Sequence, residues 1–535
     1  MLMENRSRRR LRALLWVTGL ALLFALYTSG LGRNPPGFYL DESAPAYNAY
    51  LVAHTGAGEF GPRFPLYFQY YTDGFTQVAD PTQVYMLAAV FRFFPPSILL
   101  ARMFSAFWVF TACLLFGLLA TRISGRRTVG VIVAGTALLI PWFFEGRGLL
   151  LEPQFVPMAL APFLLTVYHV QKKESWSWLD VTMLAATLAL VTYCYTSGRL
   201  LGPLLSLGLL FFATTRQRFI SVIKAGLLYG LTLVPILVFN SRHPGVLTRR
   251  LNEISYAKPG VPLREVIPQF IKRYLEDQSL ISVLVNGDYH PRHHVPGSGG
   301  AWFFATFILV LIGLAVIISR RRSDPWWRFV LYGLAVAVVP GAISVEPFHA
   351  MRLMAYPVFL LLVTVPALEW LLAPDEDKAG LAPLPSSAGD EPLSEVGQPI
   401  GPGIWGYTVV PRAARLLILC ALLALTGVEA YWFQTVFRRD GPNRAFYFDV
   451  EYKTVYDVAT KQAVRPIYLE DGMWGPAYIH ALWYATVEKR PSSEFVHLGA
   501  GAKAPAGKIV ISSSEGCQSC EVITRAGVYQ VYKAL

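Results

Sequence analysis

The sequence is poor in charge and in cysteine for its length. Only 15% of its 535 residues are Asp, Glu, Lys or Arg, whereas 54% are hydrophobic. Soluble proteins usually carry about 25% charged residues, so this deficit excludes an ordinary soluble enzyme. Five cysteines are too few for a disulfide framework, and Cys113, Cys194 and Cys420 lie inside apolar runs.

Several motifs of well-known enzyme classes are absent as well. The sequence contains no GxxxxGK[ST] phosphate loop, no GxSxG and no HExxH. These absences argue against nucleotide hydrolysis, α/β-hydrolase chemistry and zincin proteolysis. Energy for any synthesis would therefore have to arrive in an activated substrate.

The basic residues are distributed in a way that does not suit nucleic acid. There are 47 Lys and Arg against 35 Asp and Glu, a net charge of +12, but they form short clusters between apolar runs rather than stripes. This arrangement indicates membrane topology. We therefore expect membrane lipids, and no nucleic acid, among the partners.

The apolar runs predict a mainly α-helical, polytopic membrane protein with about 11 transmembrane helices. A spanning helix needs about 17 to 25 residues, and several runs are near the short end of that range. The predicted spans are residues 14–31, 98–121, 128–144, 153–171, 178–195, 200–215, 219–239, 301–319, 328–345, 350–372 and 416–435.

Charges between the runs predict the orientation. Five arginines precede the first run, and no A-x-A cleavage site follows it, which indicates an uncleaved first span with the N-terminus in the cytoplasm. Every second turn is then basic, as expected for cytoplasmic turns. The residues concerned are Arg122, Arg126, Arg127, Lys172, Lys173, Arg216, Arg218, Arg320, Arg321, Arg322, Arg412 and Arg415.

This topology predicts two modules in a cell membrane. Residues 1–435 would form the membrane module, with long outer loops at about 32–97 and 240–300 and a cytoplasmic linker at about 374–411. Residues 436–535 return to a soluble composition with strand-like and helix-like runs, which predicts a small extracytoplasmic α/β domain. Its Cys517 and Cys520 would form a disulfide rather than a redox pair, because no thioredoxin-like pattern surrounds them.

Acidic residues mark two places on the predicted outer face. Asp41 and Glu42 follow the first span, and Glu152 follows the third, together with Arg147. Asp41 could simply cap a helix over residues 43–52. Alternatively, Asp41 and Glu152 are an acid/base or charge-stabilising pair that the topology brings to one face.

Cations and histidines lie at further span ends on the same face. Arg199, His349 and Arg352 could bind phosphate or merely snorkel to lipid headgroups. The segment Asn286-Gly-Asp288-Tyr-His290-Pro-Arg292-His293-His294 is suited to hydrogen bonding with a sugar or phosphate. Its spacing matches no closed metal site, so we assign no metal ligands. A divalent metal ion is the only candidate cofactor.

These residues resemble a known family, the integral-membrane GT-C glycosyltransferases close to the protein O-mannosyltransferases and aminoarabinose transferases (glycosyltransferase family 39). The resemblance covers residues 10–435. It is carried by LDESAPAYNAYLVAHTG, GEFGPRFPLYF, RGLLLEP, YTSGRLLGPLL, GDYHPRHHVPGSG and EPFHAMRLMAYP. The C-terminal segment does not resemble the β-trefoil of eukaryotic protein mannosyltransferases, so the resemblance does not specify a protein acceptor.

The resemblance implies transfer of a monosaccharide from a polyprenyl-phosphate donor to an acceptor hydroxyl of a glycan, lipid or protein on the outer face, with inversion. Asp41 and Glu42 then match the acids of the first outer loop, with Asp41 as the base, and Glu152 matches a second acid. The looser matches are Arg199, His349 and Arg352, as phosphate or sugar contacts. Further candidate substrate-binding residues are Arg147, Asp288, His290 and Arg292. The alternative is a transporter or flippase of a lipid-linked sugar, although such proteins usually place polar sites near the membrane midplane.

Overall fold

The computed structural model describes residues 2–72, 76–374, 410–472, 475–499, 501–513 and 520–535, with side chains from residue 14 onward. Most of the predicted cytoplasmic linker and Cys517 lie outside these ranges. The described chain is mainly helical. Its helices are α1 (Leu2–Tyr27), α2 (Leu40–Thr55), α3 (Pro81–Phe91), α4 (Ile98–Ser124), α5 (Arg127–Leu139), α6 (Pro141–Gly146), α7 (Val156–Val170), α8 (Trp178–Cys194), α9 (Gly198–Gly208), α10 (Arg216–Arg242), α11 (Arg249–Ile254), α12 (Leu263–Glu276), α13 (Phe304–Arg320), α14 (Pro325–Val336), α15 (Val339–Ala342), α16 (Tyr356–Leu371), α17 (Arg412–Asp440), α18 (Val450–Lys461) and α19 (Tyr478–Val487).

Four helical segments in the described ranges are long and apolar enough to cross a membrane. They are Ile98–Ser124, Glu152–Val170, Arg216–Arg242 and Arg412–Phe448. The apolar faces of α10 and α17 are largely exposed, whereas α16 is buried along nearly its whole length. Helices with exposed apolar surface suit contact with lipid, and α16 forms the centre of the packed core. Helices occur at all the other predicted spans, but their apolar parts are shorter, so a total of eleven spans stays a prediction.

In the described ranges, seven strands form two sheets. The short strands β1 (Phe68–Tyr70) and β2 (Gln77–Ala79) pair antiparallel in the first long loop. The C-terminal region contains β3 (Ile467–Glu470), β4 (Phe495–His497), β5 (Ile509–Ser512), β6 (Cys520–Ala526) and β7 (Tyr529–Ala534) in the order β4-β3-β5-β7-β6. Strand β3 runs parallel to β4 and β5, whereas β7 is antiparallel to β5 and β6. This region is therefore a small mixed α/β unit, as the sequence predicts.

The C-terminal region packs directly against α2. The ring of Trp483 stacks on Phe38 at 5.4 Å, and Nδ1 of His480 lies 2.9 Å from the Ser43 hydroxyl. Asp449 accepts a hydrogen bond from the backbone N–H of Leu40 at 3.3 Å. The C-terminal region thus fixes the start of α2, where the two predicted acids lie.

Candidate active site

The two neighbouring acids at the start of α2, Asp41 and Glu42, have different environments. The helix begins at Leu40 after an extended Tyr39, so Asp41 lies in the first turn and does not cap a helix at residue 43. The side chain that reaches back is Glu42, which accepts the N–H of Tyr39 at 3.1 Å. The N-cap interpretation of Asp41 is therefore wrong, because the helix starts earlier than the alanine-rich pattern suggests.

Glu42 is completely buried and fully engaged. It forms an ion pair with Arg102 of α4 at 3.1 Å, and both side chains are at most 1% exposed. Its Oε1 also accepts the N–H of Leu150 at 3.1 Å, and Arg102 in turn donates to the carbonyl of Pro35 at 2.7 Å. A buried carboxylate with all these donors holds three chain segments together and offers no free lone pair in a cavity.

Asp41 has a different environment. Its side chain is partly exposed, and its Oδ1 accepts a hydrogen bond from the Tyr71 hydroxyl at 3.0 Å. Its Oδ2 has no hydrogen bond to any side chain or backbone group in the described ranges. Asp41 is therefore oriented through one oxygen and open at the other, which is the arrangement a general base needs.

Two tyrosines, the buried Tyr70 and the half-buried Tyr39, connect Asp41 with the other groups. Burial raises the pKa of the Tyr70 hydroxyl, and the charges of Glu152, Asp41 and Asp80 raise it further, so all three carboxylates are near enough to act on this hydroxyl. Burial and Asp41 also raise the pKa of Tyr39, while Arg292 lowers it. The guanidinium of Arg292 stacks on the Tyr39 ring at 3.4 Å. The structure thus brings Asp41, Glu152 and Arg292 around one region.

Glu152 and Arg199 meet through Asp80, a residue that the sequence reasoning missed. Asp80 is fully buried and forms an ion pair with Arg199 at 2.9 Å, and its N–H donates to Glu152 Oε1 at 2.8 Å. The hydroxyl of Thr196 donates to the other Asp80 oxygen at 3.1 Å. The motif Asp80-Pro81 before an apolar run is a helix-start signal, and it could have identified this acid.

Arg352 completes this surface from the segment before α16. Arg352, Glu152 and Asp80 are all near enough to Tyr195 for their charges to affect the pKa of its hydroxyl. Arg352 pairs with Glu346 at 2.8 Å, but its Nη1 is buried and has no hydrogen-bond partner among the described residues. A buried guanidinium nitrogen without an acceptor suits an anionic ligand.

The histidine-rich segment lies beside these cations. Burial raises the pKa of Asp288, but the hydrogen bond and charge of His293 outweigh it and lower that pKa to about 2. Burial, His293 and Arg292 lower the pKa of His290 to about 4, and burial, His293 and Arg352 lower that of His349. At neutral pH Asp288 is therefore ionised, and His290 and His349 are neutral.

Arg147 is not brought into this cluster. It is 2% exposed, donates to the Tyr27 carbonyl at 2.7 Å and stacks over Phe144 at 3.3 Å. Glu145, nearby, instead pairs with His294 at 2.6 Å and accepts the N–H of Val295 at 2.8 Å. Arg147 and Glu145 therefore tie the third span to α1 and to the histidine segment.

Comparison with solved structures identifies the fold. The aminoarabinose transferase ArnT from Cupriavidus metallidurans matches with a TM-score of 0.60 at 11% identity, over 97% of this chain and 98% of that chain. The same protein bound to undecaprenyl phosphate matches with a TM-score of 0.56 at 11% identity, over 97% of each chain. The oligosaccharyltransferase of Archaeoglobus fulgidus matches with a TM-score of 0.50 at 16% identity, over 89% of this chain and 64% of that chain.

These likenesses show that the chain has the GT-C fold, as the sequence resemblance implies. No protein-family model matches the sequence. No curated protein matches it either. At identities this low, similarity establishes the architecture, and the activity has to be argued from the site.

Proposed function

We propose that this protein transfers a monosaccharide from a polyprenyl-phosphate donor to an acceptor hydroxyl, with inversion at the anomeric carbon. The observation that carries the proposal is the open Oδ2 of Asp41 beside a surface that contains Glu152, Arg292 and Arg352. The GT-C fold supports it, because one structure with this fold, ArnT, has been solved with undecaprenyl phosphate bound.

Asp41 would act as the general base. An acceptor hydroxyl is a weak nucleophile at neutral pH, so its proton must leave as its oxygen attacks the anomeric carbon. The proton goes to Asp41 Oδ2, the new C–O bond forms, and the bond from the anomeric carbon to the phosphate oxygen breaks. The electron pair of that bond leaves with the polyprenyl phosphate. General-base help of this kind contributes about 10²- to 10⁴-fold.

Arg352 and Arg292 would bind the phosphate. Negative charge grows on the departing oxygen, and prearranged cations stabilise it without further reorganisation. The Nη1 of Arg352 has no partner among the described residues, so its N–H groups can donate to the phosphate. Arg292 donates to the carbonyl of Tyr447 at 3.1 Å and is supported by the Tyr39 ring, so its plane is held in place.

The remaining acids would position these groups. The N–H of Asp80 donates to Glu152 Oε1, and the Asp80 carboxylate pairs with Arg199. Arg199 would therefore position Asp80 and Glu152 rather than bind phosphate. Glu42 would keep α2 in register through Arg102, a structural role that replaces its expected catalytic one. His290 and Asp288 would support the segment that presents Arg292.

We also propose the membrane arrangement expected from the sequence. Eleven spans with a cytoplasmic N-terminus place the start of α2, the 240–300 segment and the C-terminal α/β region on the outer side. The contacts of Arg292 with Tyr39 and Tyr447 support this, since they join all three segments at one end of the helices. The donor's lipid tail would then stay in the bilayer while its phosphate reaches Arg352.

The test is transfer of radiolabelled sugar from polyprenyl-phosphate donors by purified protein in liposomes. We expect Asp41→Asn to retain the fold and melting temperature and to lose transfer by at least about 10²-fold. Asp440→Asn is the matched control, because the Asp440 carboxylate is partly exposed and pairs with its neighbour Arg439. Transfer by Asp41→Asn at the rate of the control would refute the proposed base.

A further inference from the structure

We propose that Asp288, His293 and His349 form a binding site for a divalent transition-metal ion, with Zn²⁺ as the best fit. In the described part of the chain they are the one group of three His, Cys, Asp or Glu side chains with ligand atoms all within 4.8 Å of one another. Asp288 and His293 come from one segment and His349 from another. The sequence spacing alone therefore gave no sign of this set.

The ligand types fit zinc. Two imidazoles and a carboxylate are a common three-ligand set, which leaves a fourth position for water. Zinc bonds to nitrogen and oxygen are about 2.0 to 2.2 Å long, so the three atoms have to approach somewhat more closely than they do here. The approach would come from small movements of these three side chains, two of which are histidines whose rings can rotate.

His349 provides a second, independent observation. Its Nδ1 is buried and has no hydrogen-bond partner among the described residues, and its ring lies 4.5 Å from that of His293. A hydrogen bond between His293 Nδ1 and Asp288 Oδ2, at 3.0 Å, accounts for those two residues. That contact does not account for the buried His349 nitrogen, which is costly to leave without a partner unless something binds it.

Hydrogen bonds from the backbone hold the carboxylate of Asp288, the candidate metal ligand, in one orientation. Its Oδ1 accepts the N–H of His290 and its Oδ2 accepts the N–H of Ala350, both at 2.8 Å. Carboxylates that bind metals are usually oriented by hydrogen bonds of this kind. The bond to Ala350 also joins the two ligand-bearing segments before any ion arrives.

The two segments that the ion would join each carry a site arginine. Arg292 is adjacent to His293 in the sequence, and Arg352 follows His349 by three residues. A bound ion would therefore fix the separation of the two guanidinium groups. This consequence for the donor phosphate rests on the proposed function, whereas metal binding itself does not.

The experiment measures metal binding directly. The full-length protein is purified in detergent without a histidine tag, treated with a chelator, and titrated with ZnCl₂ or MgCl₂ by calorimetry. Elemental analysis then gives the metal content. We expect one zinc per chain, a higher melting temperature with zinc, and no comparable effect of magnesium, since imidazole ligands suit zinc rather than magnesium.

The variant His349→Gln should lower zinc affinity by at least about tenfold, because even the partners of ligands contribute that much. It leaves the pair of His293 and Asp288 intact, so its metal-free melting temperature should match that of the wild type. His243→Gln, at an exposed histidine after α10, is the matched control and should bind zinc normally.

Equal zinc affinity in His349→Gln and the wild type would overturn the proposal, as would a wild-type protein that binds no zinc in the titration. These measurements contain no sugar donor. A failure of metal binding is therefore distinguishable from a failure of glycosyl transfer.

Discussion

Two acid–arginine pairs that lie close to the proposed site have opposite environments. The pair of Glu42 and Arg102 is inaccessible to solvent, since both side chains are at most 1% exposed. Both carboxylate oxygens of Glu42 accept hydrogen bonds. In the pair of Asp80 and Arg199, the arginine keeps 16% of its side chain exposed and the acid contacts Glu152 through its backbone. The first pair holds segments together, and the second forms part of a surface that a ligand can reach.

The largest expected effect is on the free energy of unfolding, and it comes from a change in the buried pair of Glu42 and Arg102. Glu42→Gln leaves Arg102 buried without a compensating charge, which should cost about 3 to 5 kcal/mol. The melting temperature in detergent, followed by tryptophan fluorescence, measures this. Glu253→Gln, which breaks an exposed pair with Arg250, is the control and should cost about 0 to 1 kcal/mol. Equal melting temperatures for the two variants would mean that Glu42 does not hold the fold.

The second pair should affect catalysis more than stability. Asp80→Asn removes charge-assisted hydrogen bonds to Arg199 that are worth about 1.5 to 3 kcal/mol, so we expect kcat to fall by about 10- to 100-fold. Thr196→Val removes only the 3.1 Å bond to Asp80 and should have a smaller effect. Steady-state rates of transfer, measured with the donor and the acceptor varied separately, give kcat and the KM for each substrate. An unchanged kcat in Asp80→Asn would place this pair outside the site.

Arg352 should matter for use of the donor. Arg352→Ala removes the free Nη1 donor, so we expect the KM for the polyprenyl-phosphate sugar to rise by about tenfold, equal to about 1.4 kcal/mol. Arg352→Lys should recover only part of this, because an ammonium lacks the planar fork. Arg264→Ala, at an exposed arginine of α12, is the control. The phosphate role fails if the donor KM of Arg352→Ala equals that of the control.

The smallest expected effect is a pH dependence of stability from His294. Burial lowers the pKa of His294, but Glu145 and the Gly299 carbonyl outweigh burial and raise it above the usual value. Its stabilisation is therefore complete below about pH 6.5 and is lost as the pH rises through the folded-state pKa. Melting temperatures between about pH 6 and 9 should converge for the wild type and His294→Gln. A constant difference across this range would contradict the charged pair.

Much of the proposed site could be predicted from local patterns. Asp41, Glu152, Arg292 and Arg352 each stand out because a charged residue near the end of an apolar run needs an explanation. Asp80 and Arg102 were missed, although Arg102 lies inside an apolar run and the same argument applies to it. Their partners are more than 50 residues away in the sequence, and no local pattern indicates such pairing.

The sequence by itself determined the membrane class, the helical architecture and the mixed α/β composition of the C-terminal region, because hydrophobic runs and strand periodicity are local properties. Only the tertiary structure decided that Asp41 is open while Glu42 is sealed, since the two residues are neighbours in the first turn of one helix and differ only in what packs against each. It likewise decided that His349 lies against His293, which depends on how two segments that are distant in the sequence pack together.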